Sequence, residues 1–406
     1  MFNALLTTII KVTVKIMISL TKLLFAKNYF GDSLRYTKNS HRMTSGAADG
    51  IGPVVVWNST RTCNLKCRHC YMNSDAKIYR DELTTDEAKK FIDDLAEFKV
   101  PVLLFSGGEP LMRQDFFELA EYAAEKKVRP TLSTNGTLIT REVAERIKSI
   151  GVGYVGISLD GIAEVNDKFR GVKGAFQRAM NGIKNCVAAG QRVGLRFTIN
   201  RHNFMELDKI FDFIEAEKIN RVCFYHLVYS GRGSSMVDED LTPIESRQAM
   251  DKIIERTKDF ERRGLDKEIL TVDNHCDGVY VYLKTLAEGD LETAAQIKKF
   301  ISMNGGNRSG IAFGEVDPAG NVHPDQFTQH HTFGNVREKS FGEIWTDTSN
   351  KILAGLKNRK PLLIGRCATC KFLDCCNGNF RTRAEAVTGN FWASDPACYL
   401  TDDEIS

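Results

Sequence analysis

Between residues 54 and 230, short apolar runs alternate with amphipathic segments in a regular order. The runs at 54–59, 100–106, 129–133, 154–159, 193–199 and 222–229 predict strands. The segments at 86–98, 114–127, 141–150, 175–189 and 206–218 predict the helices between them. Thr84 and Glu87, three positions apart, form a capping-box pair ahead of the first helix. In the second, Phe116, Leu119, Ala120 and Ala123 recur at helical spacing. Alternation of this kind predicts an α/β fold, a parallel sheet with helices over its outside. Such sheets carry their chemistry at the C-terminal ends of the strands.

After residue 230 the pattern changes. Residues 244–262 and 291–303 read as charged helices, and Asn304-Gly305-Gly306-Asn307 breaks the chain. The runs 311–316 and 321–323 then flank Asp317-Pro318-Ala319-Gly320, a turn between two hairpin strands. The last third reads as a small β-plus-loop module, too poor in apolar residues to hold together easily by packing alone. A metal cluster would supply the missing stability. The expected divisions are an N-terminal extension at 1–50, a barrel at 51–265, a helical linker at 266–305 and an auxiliary module at 306–406.

The first 25 residues are apolar, but Lys11, Lys15 and Lys22 interrupt them and make a poor membrane span. No small-residue cleavage site is apparent. An amphipathic surface helix is one reading. The other is that translation starts at Met17 and leaves the preceding residues out.

Composition adds little: 406 residues, 42% hydrophobic, 26% charged, net charge +3. No nucleic-acid or membrane-surface role follows from that balance. The cysteines say more. Of eleven, seven fall in two tight groups, the usage expected of metal ligation in a reducing, cytoplasmic compartment. Cys186, Cys223 and Cys276 sit in apolar stretches and read as core thiols.

Cys63, Cys67 and Cys70 follow the first strand directly. Three thiolates on one short loop can wrap an iron–sulfur cube and leave one iron open for chemistry, as catalytic zinc sites keep an open position. Structural zinc would want a fourth ligand, and His69 is badly placed between two thiols. At the C-terminus Cys367, Cys370, Cys375 and Cys376 are followed by Cys398, enough to saturate a second cluster. Zinc accepts the same ligands there, and spacing does not separate the two metals.

The C-x3-C-x2-C loop after a first strand resembles the radical S-adenosylmethionine (SAM) superfamily. So does Gly107-Gly108-Glu109-Pro110 after the second strand, like that family's GGEP motif. The resemblance implies a partial (β/α)6 TIM-like barrel, with SAM chelating the open iron of a [4Fe-4S] cluster held by Cys63, Cys67 and Cys70. It implies that the two glycines admit the methionine amino group and that Glu109 accepts a bond from it. Ser133 and Asn135, then Ser158 and Asp160, end the third and fourth strands where the family binds ribose and carboxylate. Arg196 is a candidate partner for that carboxylate.

The pattern C-x2-C-x5-C followed by a distant Cys resembles SPASM/twitch extensions, small α+β domains with auxiliary [4Fe-4S] clusters. It selects Cys367, Cys370, Cys376 and Cys398, passing over Cys375. Glu315 and Asp325 stand in the hairpin where a full SPASM domain has cysteine, so one auxiliary cluster is expected.

Longer runs, among them 53–58, 104–110, 156–161, 335–338 and 377–381, resemble the haem-forming radical SAM proteins of the sirohaem-dependent pathway. Within them the likeness favours the branch that removes both acetates of 12,18-didecarboxysirohaem to give iron-coproporphyrin III. The haem d1 branch, acting on propionates, is the nearest alternative. A peptide-modifying maturase is another, but residues 1–50 look too short and loop-like for its peptide-binding segment. An iron–sulfur electron carrier would not need the GGEP motif.

The resemblance implies a low-potential electron donor, such as a ferredoxin or flavodoxin, as partner. The acetate fragment would need a proton, for which His226 and Tyr229 are candidates. The substrate iron has candidate ligands in His226, His275, His323, His330 and His331, and its carboxylates have candidates in Arg170, Arg196, Arg232 and Arg308.

Overall fold

A computed structural model describes residues 17–36 and 43–406, so Lys11, Lys15 and any helix about them lie outside the described residues. The six predicted strands are present as β2 (Val54–Thr60), β3 (Val102–Gly107), β4 (Arg129–Thr134), β5 (Val155–Ser158), β6 (Val193–Ile199) and β7 (Arg221–His226), all parallel. The register lays Trp57, Phe105, Leu132, Val155 and Val193 side by side across the sheet. All five are buried in the main core, against the helices that follow each strand. Phe91 of the helix Thr85–Glu97 meets Trp57 edge-on at 5.7 Å, and Phe116 of Phe116–Glu125 meets Phe105 at 5.4 Å. Alternate residues, including Val54, Val56, Val102, Cys223 and Tyr225, face the other way in a smaller cluster. The capping box of Thr84 and Glu87 forms as expected.

The sheet does not stop at six strands. Residues 266–305, expected as a helical linker, open with β8 (Glu268–Val272), which adds parallel to β7. Its first residue hid it. Glu268 is a buried carboxylate clamped by Arg35 at 2.8 Å and Arg221 at 3.3 Å, so the charge sits inside and not on a loop. At the outer edge β1 (Met17–Ser19) pairs antiparallel with β8, with Met17 opposite Val272. The segment expected as a loop-like extension is therefore part of the sheet, and Met17, Leu34 and Ala47 belong to its second core. Among the described residues no helix is long and apolar enough to cross a membrane.

The C-terminal module is also joined to the sheet. Its hairpin strands are β9 (Phe313–Val316) and β10 (Asn321–His323), extended by β11 (Gly334–Asn335), and β9 lies parallel to β2. The module packs better than its apolar content led one to expect. Phe341, Trp345, Leu353, Leu356, Phe372 and Phe380 are all buried. Trp345 lies so close over β9 that a Cβ at Gly314 would stand 2.6 Å from its ring. Eight parallel strands with antiparallel edges thus run from β1 to β11 in one mixed sheet.

Candidate active site

A cavity partly open to solvent lies at the C-terminal strand ends. Cys63, Cys67 and Cys70 all line it. Their loop is pinned from outside: Arg170 and Phe169 accept the backbone N–H groups of Lys66 and Arg68, and Arg232 donates to the Cys67 carbonyl at 2.8 Å. Donors also point at the sulfurs, with Arg170 Nη1 3.5 Å from Cys67 Sγ and the Leu65 N–H 3.4 Å from Cys63 Sγ. Burial pushes the Cys63 thiol up to about 12 and raises Cys67, so iron binding must displace their protons.

One zinc ion would draw its thiolates to within about 4 Å of one another, given Zn–S bonds near 2.3 Å. Among the described residues, the grouping of three or more potential ligand atoms within 4.8 Å of one another is His330, His331 and Glu385, not a set of cysteines. Three wider-spaced thiols with donors aimed at sulfur suit a cubane.

Gly107, Gly108, Ser133, Asn135, Ser158 and Arg196 also line the cavity. Glu109 does not, and neither does Pro110, which starts a short helical turn. The Glu109 carboxylate is fully buried and spent on protein donors: Thr134 Oγ1 and the Asn135 N–H, both at 2.8 Å, and the Leu111 N–H at 3.2 Å. Asp160 likewise turns away from the cavity. It pairs with Arg170 at 2.6 Å and accepts the Thr198 N–H at 3.0 Å, bracing the cysteine loop from behind.

Of the two candidate acids, His226 lines the cavity and Tyr229 does not. Tyr229 donates to Asp240 at 2.7 Å, in a cluster with Phe169, Leu227 and Met236. His226 is bonded through Nε2 to Asp277 at 3.0 Å, and Asp277 also accepts from Tyr399 at 2.7 Å. Burial disfavours its imidazolium, but Asp277 outweighs that and holds its pKa above the ordinary value.

His275, His323, His330 and His331 are not at the cavity. His330 and His331 both contact Glu385, at 2.6 and 3.1 Å. Among the arginines, Arg170 and Arg232 reach the cavity while tied to the cysteine loop, and Arg196 lies 4.7 Å over the Tyr225 ring. Arg308 stands elsewhere and donates to the Met43 carbonyl. The sequence reading missed Tyr71, Tyr225 and Asp273. Recognising β8 would have found Asp273, the residue immediately after it.

A second, apolar cavity of about 460 Å³ gathers Cys367, Cys370, Cys376 and Cys398 with Phe372, Leu373 and Leu400. Cys375 turns into the core, 3.7 Å from Ser302 Oγ. Cys276 reads as a plain core thiol, but it also lines this cavity, beside Cys398. Burial pushes the Cys276 thiol well up.

Residues 273–276 join the two cavities, Asp273 lining the first and Cys276 the second. Arg383 donates to the Asp273 carbonyl at 2.6 Å and to Asp395 at 2.7 Å, and Asn379 donates to Asn274 at 2.6 Å.

Residues 57–214 match the radical SAM superfamily, and residues 313–371 match SPASM, an iron–sulfur cluster-binding domain. The chain is 57% identical over 395 residues to Fe-coproporphyrin III synthase of Methanosarcina barkeri, covering 96% of this chain and 99% of that one. It is 43% identical over 353 residues to pre-heme d1 synthase of Dinoroseobacter shibae, covering 87% of each. The crystal structure of Streptococcus suis SuiB bound to S-adenosylmethionine shares the fold, with a TM-score of 0.68 at 19% identity over 86% of this chain and 78% of that one.

Proposed function

The chain belongs to the radical SAM superfamily, and from that premise we propose that it removes both acetate side chains of 12,18-didecarboxysirohaem to give iron-coproporphyrin III. The observation that carries this reading is the 57% identity with Fe-coproporphyrin III synthase across nearly the whole of both chains. Cys63, Cys67 and Cys70 would hold the catalytic [4Fe-4S] cluster, and Cys367, Cys370, Cys376 and Cys398 the auxiliary one. With SAM bound, the first cluster supplies a 5′-deoxyadenosyl radical, and the second supplies low-potential electrons.

The residues of the cavity fit that work. Gly107 and Gly108 keep the β3 end free of side chains, and Ser133, Asn135 and Ser158 offer small polar groups beside it. Arg196, held over Tyr225, presents a guanidinium to carboxylates of SAM or substrate.

The substrate chemistry follows from its structure. Each reduced ring bears a quaternary carbon with methyl and acetate, next to a carbon bearing hydrogen. Loss of that hydrogen atom allows β-scission of the ring–acetate bond, which makes a ring double bond and extends conjugation. The carboxymethyl fragment then takes one electron and one proton to leave as acetate.

The test is anaerobic incubation of the reconstituted protein with SAM, a reductant and 12,18-didecarboxysirohaem, following tetrapyrrole masses. Two successive acetate losses through a mono-deacetylated species are expected. Loss of propionate-derived groups would instead place the protein in the haem d1 branch.

A further inference from the structure

Asp273 directly follows β8 and lines the cavity at the strand ends. Its side chain is fully buried, and neither carboxylate oxygen finds a hydrogen-bond partner among the described residues. A buried ion without partners is costly, so such a group is kept neutral or is met by a ligand. Its φ is +66°, in the left-handed region that aspartate tolerates better than most residues with a Cβ.

The surrounding charges leave the carboxyl unpaired. Arg383, from the helix Arg381–Thr388, spends its donors on both Asp395 oxygens, on the Leu227 carbonyl at 3.1 Å and on the Asp273 main-chain carbonyl. His226 on β7 is committed to Asp277. Arg196 on β6 and Asp325 after the hairpin complete the charged groups acting on it.

Resting on the deacetylation reading, we infer that Asp273, as the neutral acid, is the proton donor that completes each acetate release. β-Scission leaves a carboxymethyl radical, ·CH2–COO⁻. One electron from a low-potential iron–sulfur donor and the Asp273 proton turn it into CH3–COO⁻. A C–H bond forms, the Asp273 O–H bond breaks, and the electron donor is oxidised by one electron. Asp273, now a carboxylate, is reprotonated from water before the next cleavage.

Before scission the same O–H donates to the acetate carboxylate, which an ionised aspartate would repel. Burial supports this state by raising the Asp273 carboxyl to about 7, with Arg383 pulling the other way. Its place also suits the chemistry. Three residues further on, Cys276 lines the auxiliary cavity, so proton and electron converge on one loop.

The experiment compares the parent holoenzyme with Asp273→Asn, Asp273→Glu and His226→Gln. Asp273→Asn should lower acetate and iron-coproporphyrin III formation about 10²–10⁴-fold. The ratio of 5′-deoxyadenosine to tetrapyrrole product should rise, and Asp273→Glu should recover part of the product. Infrared difference spectra of the substrate-free holoenzyme should show a protonated carboxyl band that disappears on titration through neutral pH and is missing in Asp273→Asn. Parent-like product formation and an unchanged pH profile in Asp273→Asn would overturn the assignment. So would loss of turnover in His226→Gln alone. If the parent itself releases no acetate, the deacetylation reading falls and this role with it, whatever the variants do.

Discussion

The Glu109 carboxylate accepts the backbone N–H of Asn135 at 2.8 Å and so ties the end of β3 to the end of β4. Its bonds from Thr134 and Leu111 make it a strut at these strand ends. Glu109→Gln keeps one acceptor oxygen where the carboxylate uses two, and turns an amide N–H₂ toward Asn135 or Thr134. The expected cost is about 1–3 kcal/mol of stability. SAM affinity should fall only as far as the strand ends shift. Equilibrium binding beside thermal melting separates these effects, and a large affinity loss at unchanged stability would restore a direct contact.

The same residue predicts a pH dependence. Burial raises the Glu109 carboxyl from the usual 4.5 to about 7. The folded protein then binds this proton more tightly than the unfolded chain. Its contribution to stability is complete below the unfolded pKa and is lost as pH rises through about 7. Glu109→Gln has no such proton, so its melting temperature should fall less than the parent's from about pH 5 to about pH 8. Parallel pH curves would rule this out.

Replacing Cys63, Cys67 and Cys70 together with alanine should abolish 5′-deoxyadenosine formation and reduce reconstituted iron by about half, one cubane of two. Loss of all iron would mean that the two sites are not independent.

Cys376→Ala should remove the auxiliary cluster, whereas Cys375→Ala should keep full iron, since only Cys376 lines the second cavity. Cys276→Ala should also keep its iron but shift the auxiliary reduction potential, because Cys276 lines the same cavity as Cys398. Redox titration followed by EPR reads that shift. A cluster lost with Cys276 would make it a ligand.

The alternation of strands and helices was legible because β2 to β7 are buried on both faces and read as plain apolar runs. β8 was not, since Lys267 precedes it and Glu268 opens it, and only tertiary partners show that they belong inside. Lys267 donates to the Ile214 and Ile219 carbonyls, and Glu268 meets two arginines. The motifs located the strand ends correctly but did not say where each side chain points. Glu109 and Asp160 turn inward as braces, while Asp273, outside any motif, turns to the cavity. Cys276 was missed for a related reason: an isolated cysteine in an apolar helix carries no spacing, and only the fold brings it to Cys398.

The loop at 273–276 also bears on timing. Three virtual bonds of 3.8 Å limit the Asp273 and Cys276 Cα atoms to about 11 Å apart. On the proposed reaction, the acid and the wall of the auxiliary cavity thus share one short segment, braced by Arg383 and Asn379, so delivery of the proton need not wait on a moving domain. Lengthening that loop by a few glycines should leave both cavities standing yet let the fragment escape, with self-damage of the protein as its signature.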